Sequence, residues 1–195
     1  MELINKYLII VFIFINISFL SAQDVDRNVG FYGTFKFQNA VHQSFLMQYR
    51  NNAQLLRYHP DPNTTGSGGL TAEIGYFIIP KKISAGYILG FTGYSTPSLE
   101  SWINMLDVKY FILESRNSPF VYAQFGRISG AFDDKIIGRQ GGIGIGQKFF
   151  FTKKLAGIIN ASYQFAAMSL NGSKLSNTDH FAKANGIEIG IGLYF

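Results

Sequence analysis

The sequence predicts an all-β fold, a closed eight-stranded antiparallel barrel that crosses a membrane with its strands. Three observations carry this. Charged residues make up only 15% of the 195 residues, against roughly 25% in an average soluble domain, so part of the surface faces an apolar solvent. After the first twenty residues no apolar run approaches the ~18 to 20 that a membrane helix needs. Eight segments of about ten residues instead alternate apolar and polar with period two, the pattern of barrel strands.

The eight segments follow in order. The first, 29–38, sets Val29, Phe31, Gly33, Phe35 and Phe37 on one face, with Tyr32, Thr34, Lys36 and Gln38 on the other. The second, 69–79, sets Leu70, Ala72, Ile74, Tyr76 and Ile78 against Thr71, Glu73, Gly75 and Phe77, and the third, 83–94, sets Ala85, Tyr87, Leu89 and Phe91 against Ser84, Gly86, Gly90 and Thr92. In the fourth, 102–113, Leu106, Val108, Tyr110 and Ile112 oppose Asp107 and Lys109; in the fifth, 120–128, Val121, Ala123 and Phe125 oppose Tyr122, Gln124 and Gly126. The sixth, 142–151, places Gln147 on the same face as Ile143, Ile145, Phe149 and Phe151, which suggests a bulge or a shifted boundary. The seventh, 155–168, sets Ile159, Ala161, Tyr163 and Phe165 against Asn160, Ser162 and Gln164; the eighth sets Ile187, Ile189, Ile191, Leu193 and Phe195 against Glu188, Gly190, Gly192 and Tyr194. A β-sandwich also alternates, but its outward face is polar. Here the charge-bearing face is poor in bulk and rich in glycine, as a narrow lumen requires.

Turns at 80–82, 114–119 and 152–154 are short, whereas the connections 39–68, 95–101, 129–141 and 169–185 are mostly longer, which predicts short periplasmic turns and longer extracellular loops. Aromatic residues gather at both ends of the apolar face, Tyr76, Tyr110, Phe149 and Phe195 below and Phe37, Phe91, Trp102 and Phe165 above, as interfacial girdles do. Residues 1–23 read as a signal peptide, with Lys6, an apolar stretch from Tyr7 to Leu20, and Ser21 and Ala22 before Gln23. Fourteen residues interrupted by Asn16 are too few to span a bilayer. Residues 24–195 then form a single barrel domain in the cell outer membrane.

The run Gly141-Gly142-Ile143-Gly144-Ile145-Gly146, leading into Phe149-Phe150-Phe151-Thr152-Lys153-Lys154-Leu155, and the ending Gly190-Ile191-Gly192-Leu193-Tyr194-Phe195 resemble those of small outer-membrane β-barrel proteins of Gram-negative bacteria. The likeness is to the OmpA/OmpX-like or "porin family" barrel domain common in Bacteroidota. It implies that Ile191, Leu193 and Phe195 form the signal read by the barrel-assembly machinery. It implies little about activity, because one barrel hosts pores, adhesins, scaffolds and lipid-modifying enzymes.

The absence of cysteine excludes disulfide scaffolds, thiolate metal sites and cysteine nucleophiles. The net charge of +5 is scattered, so nucleic acid is not an expected partner. No cofactor, metal or catalytic residue is expected. Lys36, Glu73 and Glu188 fall on neighbouring strands and, counted from the periplasmic rim, at similar depth. With Asp107, Lys109, Gln124 and Lys148 as a second group, they predict inward ion pairs that plug the lumen. A selectivity ring in a narrow pore is the alternative. A lipid A deacylase-like enzyme would need His and Ser together on a strand, and His42-Gln43-Ser44 is the only His-x-Ser; it lies early in the chain and Ser44 is followed by Phe45. His42, His59 and His180 otherwise fall in outer loops as solvated residues. The segment 39–68 has a spacing that allows an amphipathic helix or an extended hairpin, with Arg50 and Arg57 as candidates to bind lipopolysaccharide phosphates or a partner. The expectation is a monomeric, non-enzymatic barrel in contact with outer-membrane lipid and lipopolysaccharide.

Overall fold

The computed structural model describes residues 28–51, 54–58, 65–95, 98–131, 136–152, 155–169 and 180–195. Residues 1–23, expected to be a leader, lie outside them. The strands are β1 (Phe31–Asn51), β2 (Gln54–Tyr58), β3 (Gly66–Ile79), β4 (Ile83–Tyr94), β5 (Leu99–Phe111), β6 (Pro119–Gly130), β7 (Ile137–Phe150), β8 (Ala156–Ser169) and β9 (His180–Tyr194). Each pairs antiparallel with its neighbours, and β1 pairs with β9, so β1 and β3 to β9 close an eight-stranded barrel. Closure leaves no unpaired wall edge, which is what permits strands to sit in an apolar solvent.

The ladder fixes the geometry. Cross-strand partners followed once around from Tyr32 pass Gly75, Gly86, Asp107, Gln124, Gly142, Gln164 and Gly186 and return to β1 at His42, ten residues further on. Eight strands with a stagger of ten tilt by about 40° and enclose a backbone cylinder of roughly 8 Å radius. That is narrow enough for side chains to fill. Outward residues are large and apolar: Leu106, Ile143 and Ile145 are 65–67% exposed, within a belt that includes Phe35, Leu70, Ile74, Val108, Val121, Phe165, Ile189 and Ile191. Inward residues on the same strands are buried.

Inward glycines make room for the larger residues beside them. A Cβ at Gly75 would meet the Tyr32 ring, one at Gly146 the Phe120 ring, and one at Gly142 the Gln164 amide. At the seam, Gly33 exchanges backbone hydrogen bonds with Phe195 (2.7 and 3.0 Å), and the Phe195 ring occupies the space a Cβ at Gly33 would take.

Three expectations need correction. First, β1 runs on to Asn51, so the segment expected to leave the wall at residue 39 stays in it, paired with β9 as far as Tyr49↔His180. Of the two forms allowed for 39–68, the extended hairpin is the one formed: Met47–Asn51 pairs with β2, with Gln48 opposite Arg57 and Arg50 opposite Leu55. Second, a bulge lies in β1 between His42 and Ser44, not in the sixth segment. β7 pairs with β6 and β8 without a register shift, and Gln147 sits at the end of the β6 ladder, opposite Pro119, with its amide donating to the Lys148 carbonyl (2.8 Å). Third, His42 is not a solvated loop residue. β1 is still in register there, its even-numbered side chains still point inward, and His42 is 5% exposed. His180 opens β9, and His59 lies outside the described residues.

Candidate functional site in the barrel lumen

The buried charged side chains of the described residues are six: Lys36, Lys109 and Lys148, and Glu73, Asp107 and Glu188. Three positive and three negative groups make the lumen formally neutral. All but Lys148, which sits among the rings of the first, lie between two apolar layers. Tyr32, Phe77, Phe111, Phe120, Tyr122, Ala156, Ile158 and Tyr194 pack at the end of the barrel that carries the short turns. Phe45, Ile88, Tyr94, Leu99, Ile103, Met105, Ile128, Ile136, Met168 and three alanines pack toward the other end.

Lys109 is the hub. Its Nζ donates to Glu73 Oε1 and to Asp107 Oδ2, and stands 3.4 Å from the Tyr32 hydroxyl. Tyr32 in turn donates to Glu73 Oε1 (2.7 Å) and lies 3.1 Å from Ser84 Oγ, while Thr34 Oγ1 donates to Glu73 Oε2 (3.1 Å). The side chains of Lys109 and Glu73 are 2% and 0% exposed. Burying one such charge alone would cost several kcal/mol, so the pairing is what allows the layer to exist. Stacking of Tyr32 on Tyr194, with centroids 4.9 Å apart, ties the hub to the aromatic layer.

Lys148 is held differently. Its Nζ donates to Asn28 Oδ1 and lies 4.5 to 6.0 Å from the ring centroids of Tyr194, Phe150, Phe111 and Phe77. An ammonium among aromatic faces is stabilised by their quadrupoles. Asn28, in the left-handed conformation (φ 53°), also donates to the Ser115 carbonyl (3.2 Å) and accepts from the Lys81 amide (2.8 Å). It thereby joins the entry of β1 to two turns at the same end of the barrel.

Glu188 accepts a hydrogen bond from Gln164 (3.3 Å), which also bonds Ser162 (2.9 Å). Lys36 lies near enough to interact electrostatically with both Glu73 and Glu188 but makes a salt bridge to neither. The register explains the separation. Glu73 faces Thr34 across the ladder, whereas Glu188 faces Ala40. The two carboxylates are therefore offset by six residues along the strand direction, about 20 Å, which the tilt of the wall and the two intervening ladders reduce to roughly 8 Å of depth, still more than the similar depth expected for them. Stagger accumulates around a barrel and cannot be counted from the rims. The same stagger carries Lys109, expected in a separate group, to Glu73.

Sequence reasoning placed Tyr32 on the inner face without a role, and gave none to Asn28 or Gln164. Only the stacked rings and the left-handed turn at residue 28 reveal them. His42 stacks on Tyr94 (5.7 Å between centroids) and meets Phe45 edge-on, and neither of its ring nitrogens has a hydrogen-bond partner. The bulge sends Ser44 to the exposed side of the wall, so the His-x-Ser pair is divided between lumen and exterior. Arg57 is exposed on the hairpin. Ile191 and Leu193 are exposed on the outer face of β9. Among the described residues no three His, Cys, Asp or Glu side chains are placed to hold a metal ion.

No family model matches the chain, and no curated protein matches it in sequence. Among solved structures it is similar to the outer membrane protein OprG from Pseudomonas aeruginosa, with a TM-score of 0.53 and 11% identity, covering 88% of this chain and 98% of that one. The outer membrane protein AlkL, determined in lipid bilayers, aligns with a TM-score of 0.46 and 15% identity over 84% of this chain and 90% of its own. At 11% identity the first likeness is one of fold, a closed eight-stranded antiparallel barrel.

Proposed function

We propose that the chain is a non-enzymatic outer-membrane barrel of the small OmpA/OmpX-like kind, exported through its leader, whose lumen is a plug rather than a passage. One observation supports this best: six buried charges of balanced sign, with Lys109 joining Glu73 and Asp107, packed with an aromatic and an aliphatic layer inside a wall whose outer belt is apolar. A conducting lumen needs water beside its charges. Here Glu73, Asp107 and Lys109 are almost fully buried. Function then rests on the wall, as an envelope support, or on the exposed end, where the β1–β2 hairpin carries Arg57 outward. Division of His42 from Ser44 speaks against the hydrolase alternative.

The test is to fractionate cells that express the chain and to run boiled and unboiled samples on a detergent gel. Recovery in the outer membrane with a shift on boiling is expected. A soluble periplasmic protein without a shift would overturn the proposal.

A further inference from the structure

The outer wall carries an arrangement that the lumen does not explain. Arg127 on β6 lies directly opposite Arg139 on β7, and the same ladder row continues through Ala167 on β8 to Lys183 on β9. All three cations are exposed on the outward face. Like charges directly opposite on a sheet repel, and none of the three forms a salt bridge with a carboxylate among the described residues. Ala167, with its single methyl group, is the small residue that separates Arg139 from Lys183 along this row. One outward step toward the apolar belt, Gly141 lies between Phe125 and Phe165, 53% and 45% exposed; a Cβ at Gly141 would meet both rings. The glycine thus lets two aromatic rings form a continuous apolar shelf under the cations.

Resting on the membrane-embedded reading above, we infer that Arg127, Arg139 and Lys183 bind the phosphates of lipid A in the outer leaflet, with its acyl chains against Phe125 and Phe165. Guanidinium groups grip phosphate oxygens bidentately, and a bound phosphate would relieve the repulsion across the Arg127–Arg139 pair. The shelf selects a lipid over a free anion, because cations and apolar surface meet on one strip of wall. Three cations in a row suit a headgroup with more than one phosphate.

The test is native mass spectrometry of the folded full chain in neutral detergent with added lipid A, dephosphorylated lipid A, phosphatidylglycerol or inorganic phosphate. The native chain is expected to retain lipid A in preference to the other three. The double variant Arg127→Gln/Arg139→Gln should lose at least about tenfold in affinity, and Lys82→Gln, in a short turn at the opposite end of the barrel, should lose none. Unchanged retention by the double variant, equal retention of phosphatidylglycerol, or displacement by inorganic phosphate would overturn the site. The same samples are inserted into vesicles and checked for the gel shift on boiling. Insertion without Arg-dependent retention removes the lipid site and leaves the membrane reading standing; failure to insert removes both.

Discussion

Replacing Lys109 with Met isolates the energetic role of the lumen network. The substitution keeps most of the side chain's length and removes the cation that both Glu73 and Asp107 contact. Two buried carboxylates are then left without a cation in contact, and the neutral donors that remain, Tyr32 and Thr34, both serve Glu73. Removing one partner of a buried ion pair costs about 3–5 kcal/mol, and the loss should fall at the upper end because two anions are left. Asp107 Oδ1 already lacks a partner, so it offers no relief. The assay is urea unfolding of the barrel in lipid vesicles, followed by the gel shift on boiling. Adding Glu73→Gln and Asp107→Asn to Lys109→Met should recover more than half of the loss, since a layer without charge no longer bears desolvated ions. A loss below about 1 kcal/mol for Lys109→Met, the level of a solvent-exposed pair, would refute the reasoning, because it would mean that water reaches the network.

Two further predictions concern the wall. Ile143, 67% exposed on the outer face of β7, should tolerate Lys poorly, with a loss of about 2–4 kcal/mol in vesicles if it faces lipid; a soluble barrel surface would register within about 0.5 kcal/mol in the same unfolding assay. Trp102, the chain's single tryptophan, is 40% exposed and packs edge-on against Phe91 on the outer face. Its fluorescence should be quenched by lipids brominated on their acyl chains and spared by a water-soluble quencher.

Much of the barrel was legible in the sequence because the apolar face is continuous and the period is two. Leu106, Val108 and Tyr110 outside and Asp107 and Lys109 inside follow from alternation alone. Alternation fails as a guide once outward residues become polar. Past Phe37 the outward positions of β1 include Asn39 and, at the bulge, Gln43 and Ser44, so nothing in the pattern distinguishes a continuing strand from a loop, and His42 was misplaced with it. Pairing across the lumen was not legible either. Which cation meets Glu73 depends on a stagger of ten residues accumulated over eight ladders, and the local pattern around Lys109 carries no trace of it. The opposition of Arg127 and Arg139 has the same origin, since twelve residues separate them and only the register brings them face to face.

Single-channel recording of the folded native chain in a planar bilayer tests the sealed lumen most directly. With Lys109, Glu73 and Asp107 locked between two apolar layers, the bilayer should stay electrically silent after insertion verified by the gel shift. Reproducible conductance steps that Glu73→Gln abolishes or reshapes would contradict the plug and establish a pore.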